Sequence, residues 1–291
     1  MAEKQNFSSK TIAFLGAGNI ARAIVMGFTG VGAISPENII IFNRNREKLL
    51  LFKNQSVRTA KSLAEFKEKD FIFLTVKPNQ LFSALTSLGN ALGDSLNPQK
   101  TTLVSVCAGV GTKLISDFFG GFPVIRAMPS ALMATGDGTV ALTKNELVTS
   151  DSFEYIFNLF DSCSLTAVLD ESKMNDIIAV SGSSPAYVYL FIKAMLKGAE
   201  QLGFEKSAAL PLILKTIEGG ARMVRESPKE LENLIEEVAS PGGTTLAALD
   251  EMKSRGFEET VIKAMKKCAD RADEISLETS ALLRGEQGAD K

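Results

Sequence analysis

At 291 residues the chain is long for one hydrophobic core, so two domains are expected. Apolar residues at 45% and charged residues at 23% exclude a disordered or fibrous chain. With 32 basic and 34 acidic side chains, the net charge of −2 gives no field for nucleic acid or an anionic membrane, and a small partner is expected instead.

The N-terminal MAEKQNFSSK is polar and lacks the apolar core of a signal peptide, and no apolar run is long enough to span a bilayer. A cytoplasmic location is expected. Cys107, Cys163 and Cys268 lie far apart, form no CxxC pair, and have no histidine anywhere in the chain to join them on zinc, so neither a structural metal nor a disulfide is expected.

From about residue 11 to about 168, short runs rich in Ile, Phe and Val alternate with amphipathic segments. TIAFL precedes ARAIVMGFTG, NIIIF precedes REKLLLFK, DFIFLTV precedes QLFSALTSLGNAL, TTLVSV precedes KLISDFF, and PVIRAM follows. That alternation predicts βαβ units and a parallel sheet. Beyond residue 170 apolar residues recur at helical spacing without an intervening strand, as in AALPLILKTIEGGARMV and FEETVIKAMKKCADRADEIS. The expected fold is α/β, an N-terminal Rossmann-type doubly wound sheet over 1–168 with an all-α domain over 169–291. The run AYVYLFIKAML carries one charge in eleven residues, which predicts burial against another element: a second copy of the chain, giving a homodimer through these helices, or else the chain's own Rossmann half. The tail from about Ser280 is expected to fray.

Five short segments carry candidate chemistry. In IAFLGAGNIARAIVMGF, Gly16-x-Gly18-x-x-Ala21 joins a strand to a helix: Gly16 permits the tight turn, and Gly18 lets a pyrophosphate approach the amides that open the helix, including those of Asn19 and Ile20. Ala21 allows helix and strand to pack closely. The second strand ends in Asn43-Arg44-Asn45-Arg46 rather than in the carboxylate that would accept from a ribose 2′-hydroxyl, which suits a 2′-phosphate and therefore NADPH, with NADH as a second donor. The third of these strands ends in Val76-Lys77-Pro78, and residues beyond the carboxyl end of a strand in an open parallel sheet are expected to line the cofactor cleft. In SGSSPAYVYLFIK, Ser183 or Ser184 can cap a helix that Pro185 helps to start. Finally, Ser240-Pro241-Gly242-Gly243-Thr244-Thr245 sits between two helical segments. The amides of Gly243, Thr244 and Thr245 then form a site for a carboxylate, or the segment is a plain helix cap after a turn.

Together these segments resemble pyrroline-5-carboxylate reductases from about Ile12 to about Ile275, most specifically in SPGGTT and SGSSPAY. The resemblance implies NADPH-dependent reduction of a cyclic imine carboxylate, Δ1-pyrroline-5-carboxylate, to L-proline, by a dimer that in the family sometimes assembles into larger rings. It further implies that Ser240, Gly242, Gly243, Thr244 and Thr245 hold the substrate carboxylate, with Thr245 bonded to the ring nitrogen. The missing histidine fits, because an imine is protonated before hydride arrives and needs no strong side-chain acid. The chain departs from the family pattern at Ser130-Ala131-Leu132, where Asn-Thr-Pro is usual, and at Ser184, where Gly is usual. Those departures leave open a related cyclic imine acid as substrate, or a nucleotide-binding paralog. A β-hydroxyacid dehydrogenase of similar build would carry a catalytic Lys and, four residues on, an Asn along its long helix; here Lys193 is followed by Lys197.

Overall fold

The computed structural model describes residues 7 and 9–289, with side chains as far as Leu282. Most of the polar N-terminal segment lies outside the described residues. Two compact units emerge, one running through Ser183 and resuming at Cys268, the other comprising Ser184–Lys267.

The first unit is built on eight strands: β1 (Ile12–Leu15), β2 (Ile39–Phe42), β3 (Arg58–Thr59), β4 (Phe71–Leu74), β5 (Thr102–Ser105), β6 (Val124–Pro129), β7 (Gly138–Lys144) and β8 (Ser164–Val168). They form one sheet in the order β3-β2-β1-β4-β5-β6-β7-β8, parallel from β3 through β6. The order reverses between β1 and β4, and the crevice that opens beyond the carboxyl ends of strands at such a reversal is where ligands bind in open α/β sheets. The boundary anticipated at 168/169 coincides with the end of β8 at Val168, whereas the compact units part after Ser183.

Strands covered on both faces must be apolar at every position, and the runs IAFL and FIFL are buried throughout. Their side chains alternate between two cores. Ile12 and Phe14 join Phe73, Phe28 and Phe160 on one face, beneath α1 (Asn19–Gly30) and later α4 (Ser150–Asp161). Ala13 and Leu15 join Ile72, Leu74, Leu85 and Ile115 on the other, beneath α2 (Leu81–Leu92) and α3 (Thr112–Phe118). The Phe14 and Phe73 rings stack at 4.7 Å, and Phe28 meets Phe160 edge-on at 5.1 Å. Each such buried side chain contributes about 1.5–3 kcal/mol, before strain and the entropy of ordering.

Several expectations need correction. REKLLLF is not an α-helix but a run of 3₁₀ turns, Arg46–Phe52, opened by Asn45, whose side chain accepts from the Glu47 amide. Only Phe52 of this segment is buried, so no apolar face wide enough to seat a full helix exists. After PVIRAM the chain doubles back as β7, antiparallel to β6, and β8 then pairs parallel to β7, so the sheet is mixed at this edge. Where fraying was expected from about Ser280, helix α9 instead continues, running Phe257–Ala289.

The second unit holds α5 (Ser184–Gln201), α6 (Lys206–Glu226), α7 (Leu231–Val238), α8 (Thr244–Ser254) and the start of α9. Among its residues only Ala209 and Ile213 are buried, while Leu190, Leu212 and Ile262 stand 67%, 67% and 58% exposed. Tyr187, Leu190, Phe191, Phe257 and Val261 line an apolar groove of about 260 Å³ between α5 and α9. Large apolar side chains of α5, α6 and α9 are thus displayed on a surface. Among the described residues no helix is long and apolar enough to cross a membrane, and no cluster of three metal-ligating side chains occurs.

Candidate functional site

The turn after β1 is set by Gly16, at φ +119°. A Cβ at this position would lie 2.6 Å from the Thr75 carbonyl oxygen, so only glycine lets the chain pass this close to the end of β4. The turn is held from both neighbouring strands: the Gly16 amide donates to Phe42 O at 2.9 Å, and the Thr75 hydroxyl donates to Gly16 O at 2.9 Å. Gly18 is the extended N-cap of α1, without a side-chain cap and without an acidic residue in the first turn. A Cβ at Gly18 would meet nothing within 4 Å, so the space beside this N-cap is open. Ala21, in the first turn of α1, is fully buried on the sheet side of the helix. An uncapped positive helix end behind open space suits a pyrophosphate.

The four residues after β2 have separate tasks. Asn43 is occupied at both ends of its amide, accepting from the Ala17 N–H at 3.1 Å and donating to Asn45 O at 2.8 Å, so it ties the glycine turn to β2. Arg46 is also engaged, donating to Ala60 O at 2.6 Å. Arg44 is exposed and borders a cavity of about 120 Å³ with Leu15, Val76, Gln80, Ser83 and Ser87. Val76 thus lies at the same edge, while Lys77 caps the 3₁₀ turn that Pro78 begins. The cavity thus combines an apolar floor with two hydroxyls and a guanidinium.

In the second unit, residues 240–243 form a tight turn that opens α8. The Gly243 amide, anticipated as a free donor, instead closes this turn on Ser240 O at 2.9 Å. The donors presented by the helix start therefore begin at Thr244. Gly243 is the N-cap, extended and without a side-chain cap, and the first turn of α8 carries no acidic residue. A Cβ at Gly243 would lie 2.7 Å from the Ser240 hydroxyl, so glycine lets the serine fold against the turn. Pro241, Gly242 and Thr244 are exposed and Thr245 is half-buried. Thr244 and Thr245 thus bring two amides and two hydroxyls to one helix end, a donor set for a small carboxylate.

Comparison with known proteins places both halves of the chain. Residues 171–275 match the family model for pyrroline-5-carboxylate reductase dimerisation, and residues 11–109 match the model for NADP oxidoreductase, coenzyme F420-dependent. The pyrroline-5-carboxylate reductase of Escherichia coli (strain K12) is 32% identical over 271 residues, covering 92% of this chain and 98% of its own. Pyrroline-5-carboxylate reductase 2 of Bacillus subtilis (strain 168) is 34% identical, covering 91% and 95%. The chain belongs to the pyrroline-5-carboxylate reductase family. Among solved structures of this family, that of Plasmodium falciparum with NADP bound superposes with a TM-score of 0.84 at 25% identity, covering 92% of this chain and 99% of its own. That of Coxiella burnetii gives 0.79 at 33% identity, covering 92% and 98%.

Within this family member, the positions that depart from the usual pattern have local structural tasks. Ser130 is buried; its amide donates to Thr139 O at 2.8 Å and its hydroxyl accepts from the Thr139 amide at 3.1 Å, so it fastens β6 to β7. Ala131 and Leu132 start the 3₁₀ turn that connects those strands. Ser183 does not cap the start of α5: it has helical dihedrals and its amide bonds back to Ile178 O at 2.7 Å, closing the π-turn before it. Ser184 is already inside α5. The cysteines near the sheet are inert, burial pushing the Cys107 thiol up to about 12 and that of Cys163 up to about 11.

One functional candidate escaped the sequence reading. Arg126, in the middle of β6, is only 3% exposed. Its Nη1 donates to Glu171 Oε1 at 2.7 Å, and its Nη2 donates to Asn175 Oδ1 at 2.6 Å and Met174 O at 3.3 Å. A charged residue inside the apolar run PVIRAM was the available signal, since a buried guanidinium requires partners.

Proposed function

We propose that this protein reduces Δ1-pyrroline-5-carboxylate to L-proline, with NADPH as its preferred reductant and NADH as a weaker one. Kinship over nine-tenths of the chain supports the reaction, and the observation that carries it is the start of α8. There an uncapped helix end, free of acidic residues, presents Thr244 and Thr245 to a small anion. On this reading residues 169–291 bind the substrate and form a homodimer through the C-terminal helices, and residues 1–168 hold the dinucleotide.

Gly16, Gly18, Asn19 and Ile20 receive the pyrophosphate, the turn providing close approach and α1 its positive end. Arg44 binds the 2′-phosphate by a charge-assisted fork, with Val76 lining the same cavity and Lys77 and Pro78 following it in the chain to complete the cofactor edge. Asn43 holds the turn in shape. When bound there, the dinucleotide would supply the hydride for the carbon of the C=N bond. Ser240, Gly242 and Gly243 shape the turn that lets a carboxylate reach the Thr244 and Thr245 amides, and the Thr245 hydroxyl orients the ring nitrogen. The substrate nitrogen takes its proton from water before reduction, so no imidazole or carboxylic acid is required. The protein's contribution is therefore position and exclusion of water.

The test is to mix the purified protein with NADPH and the pyrroline and follow the nicotinamide absorbance, with an active reductase run in parallel. Oxidation of NADPH matched by formation of proline supports the reading; no loss above background overturns it. Six-membered imine carboxylates in the same assay decide ring size.

A further inference from the structure

The chain passes between its compact units twice, outward after Ser183 and back at Cys268. Polar contacts around Arg126 reach the first unit's stretch of both passages. We propose that Arg126, Asn175 and Asp273 form a clasp that holds the outgoing and returning passages to one point on the sheet, making Arg126 a positioning residue. The kinetic consequence rests on the reduction proposed above; the clasp itself does not.

The chain of contacts is continuous. Arg126 Nη2 donates to Asn175 Oδ1 at 2.6 Å, and Asn175 Nδ2 donates onward to Asp273 Oδ1 at 2.6 Å. The Asn175 amide can face only one way in this arrangement, its oxygen toward the guanidinium and its nitrogen toward the carboxylate. On the outgoing side, Glu171 accepts from Arg126 Nη1 at 2.7 Å through one oxygen, and from the Thr112 hydroxyl at 2.8 Å through the other. Thr112 opens α3 just after β5, so the clasp also reaches a loop at the carboxyl end of the sheet, where the cofactor cleft lies. The returning side packs on that same loop: a Cβ at Gly109, whose φ is +70°, would lie 2.7 Å from Ala272 O. Sheet, loop, outgoing passage and returning helix therefore share one junction.

Simple burial would not favour this arginine. Its Nε is buried with no hydrogen-bond partner, a penalty that an unbranched apolar side chain of similar length would avoid. What such a side chain could not do is bind Glu171 and Asn175 together. Hydride transfer demands that acceptor carbon and nicotinamide be held in near-attack geometry, so slack where both passages leave the sheet slows turnover rather than weakening either ligand.

The test uses the full chain and three proteins: wild type, Asp273→Ala, and the exchange variant N175D/D273N. In the exchange variant the new carboxylate accepts from the guanidinium, and the new amide donates to that carboxylate, so the chain of contacts is rebuilt with its groups transposed. Asp273 is exposed, so its loss leaves the core intact. In Asp273→Ala, hydrogen exchange in 171–183 is expected to rise about tenfold, exchange in 12–20 to stay at the wild-type rate, and kcat to fall about tenfold with the NADPH Kd within about twofold. In N175D/D273N exchange and kcat return to within about threefold of wild type. Faster exchange confined to the neighbourhood of residue 273, a rise spread uniformly over the first unit, or a folded exchange variant without recovery would each overturn the clasp. Should the wild type show no reductase activity, the exchange measurements alone still decide it.

Discussion

Arg44 and Arg46 stand two residues apart after β2, and the structure sorts them. Arg46 is bonded to Ala60 O at 2.6 Å, whereas Arg44 borders the cavity shared with Gln80, Ser83 and Ser87. Replacing Arg44 by Ala removes the guanidinium proposed to grip the 2′-phosphate. A hydrogen bond to a charged group contributes about 1.5–3 kcal/mol, which corresponds to about 10- to 150-fold weaker binding of NADPH. NADH has no phosphate at that position and should lose less than about twofold, so the preference, not merely the affinity, shifts. Because Arg44 is exposed, raising the salt concentration should shrink the wild-type preference toward that of the variant. Arg46→Ala is the internal control: it should lower stability by about 1 kcal/mol through the lost carbonyl contact while leaving the NADPH/NADH ratio unchanged. Fluorescence titration of both dinucleotides against the three proteins, with urea melts alongside, gives every quantity needed. Equal weakening of NADPH and NADH in Arg44→Ala, or a ratio that follows Arg46 instead, would refute the assignment.

Gly16→Ala places a Cβ 2.6 Å from backbone at the end of β4 in a conformation worth about 1–3 kcal/mol of strain, so it should lower Tm and abolish NADPH binding together. Thr245→Val keeps the shape of a half-buried side chain while deleting its hydroxyl; steady-state kinetics should show kcat/KM reduced about 10- to 100-fold with Tm unchanged. For Asp70, burial pushes the carboxyl up, but the Thr11 amide, the Lys10 ammonium and the Thr11 hydroxyl outweigh it and hold it below its ordinary 3.8. Its contribution to stability is therefore complete above that value and lost as pH falls through the lower folded value. Asp70→Asn should destabilise the protein at neutral pH, with the gap from wild type closing in acid; a gap that persists in urea melts at the acid end would contradict this.

The sheet was legible where burial on both faces forces continuous apolar runs, as in IAFL and FIFL. The glycine turn was legible because Gly16 has no substitute at its dihedrals. β7 was not, since GTVALTK begins with glycine and threonine and owes its place to pairing with β6, a long-range effect without local signature. REKLLLF misled because its leucines carry a helical rhythm while only Phe52 finds a core. In the Ser240–Thr245 segment the helix start could be read, but not the use of the Gly243 amide, which depends on how the turn closes. Arg126 escaped because a single charge in a strand run does not say which distant groups will meet it; Glu171, Asn175 and Asp273 are separated from it by 45 to 147 positions.

The second unit, with Ala209 and Ile213 as its only buried residues, has a consequence for reading variants in this protein. On the assembly proposed above, positions such as Leu190 and Ile262 answer to a core that no single copy possesses. Their tolerance to substitution follows interior rules although one copy displays them as surface, and a charged replacement at Leu190 would act through mass action, with a severity set by how much protein the cell makes.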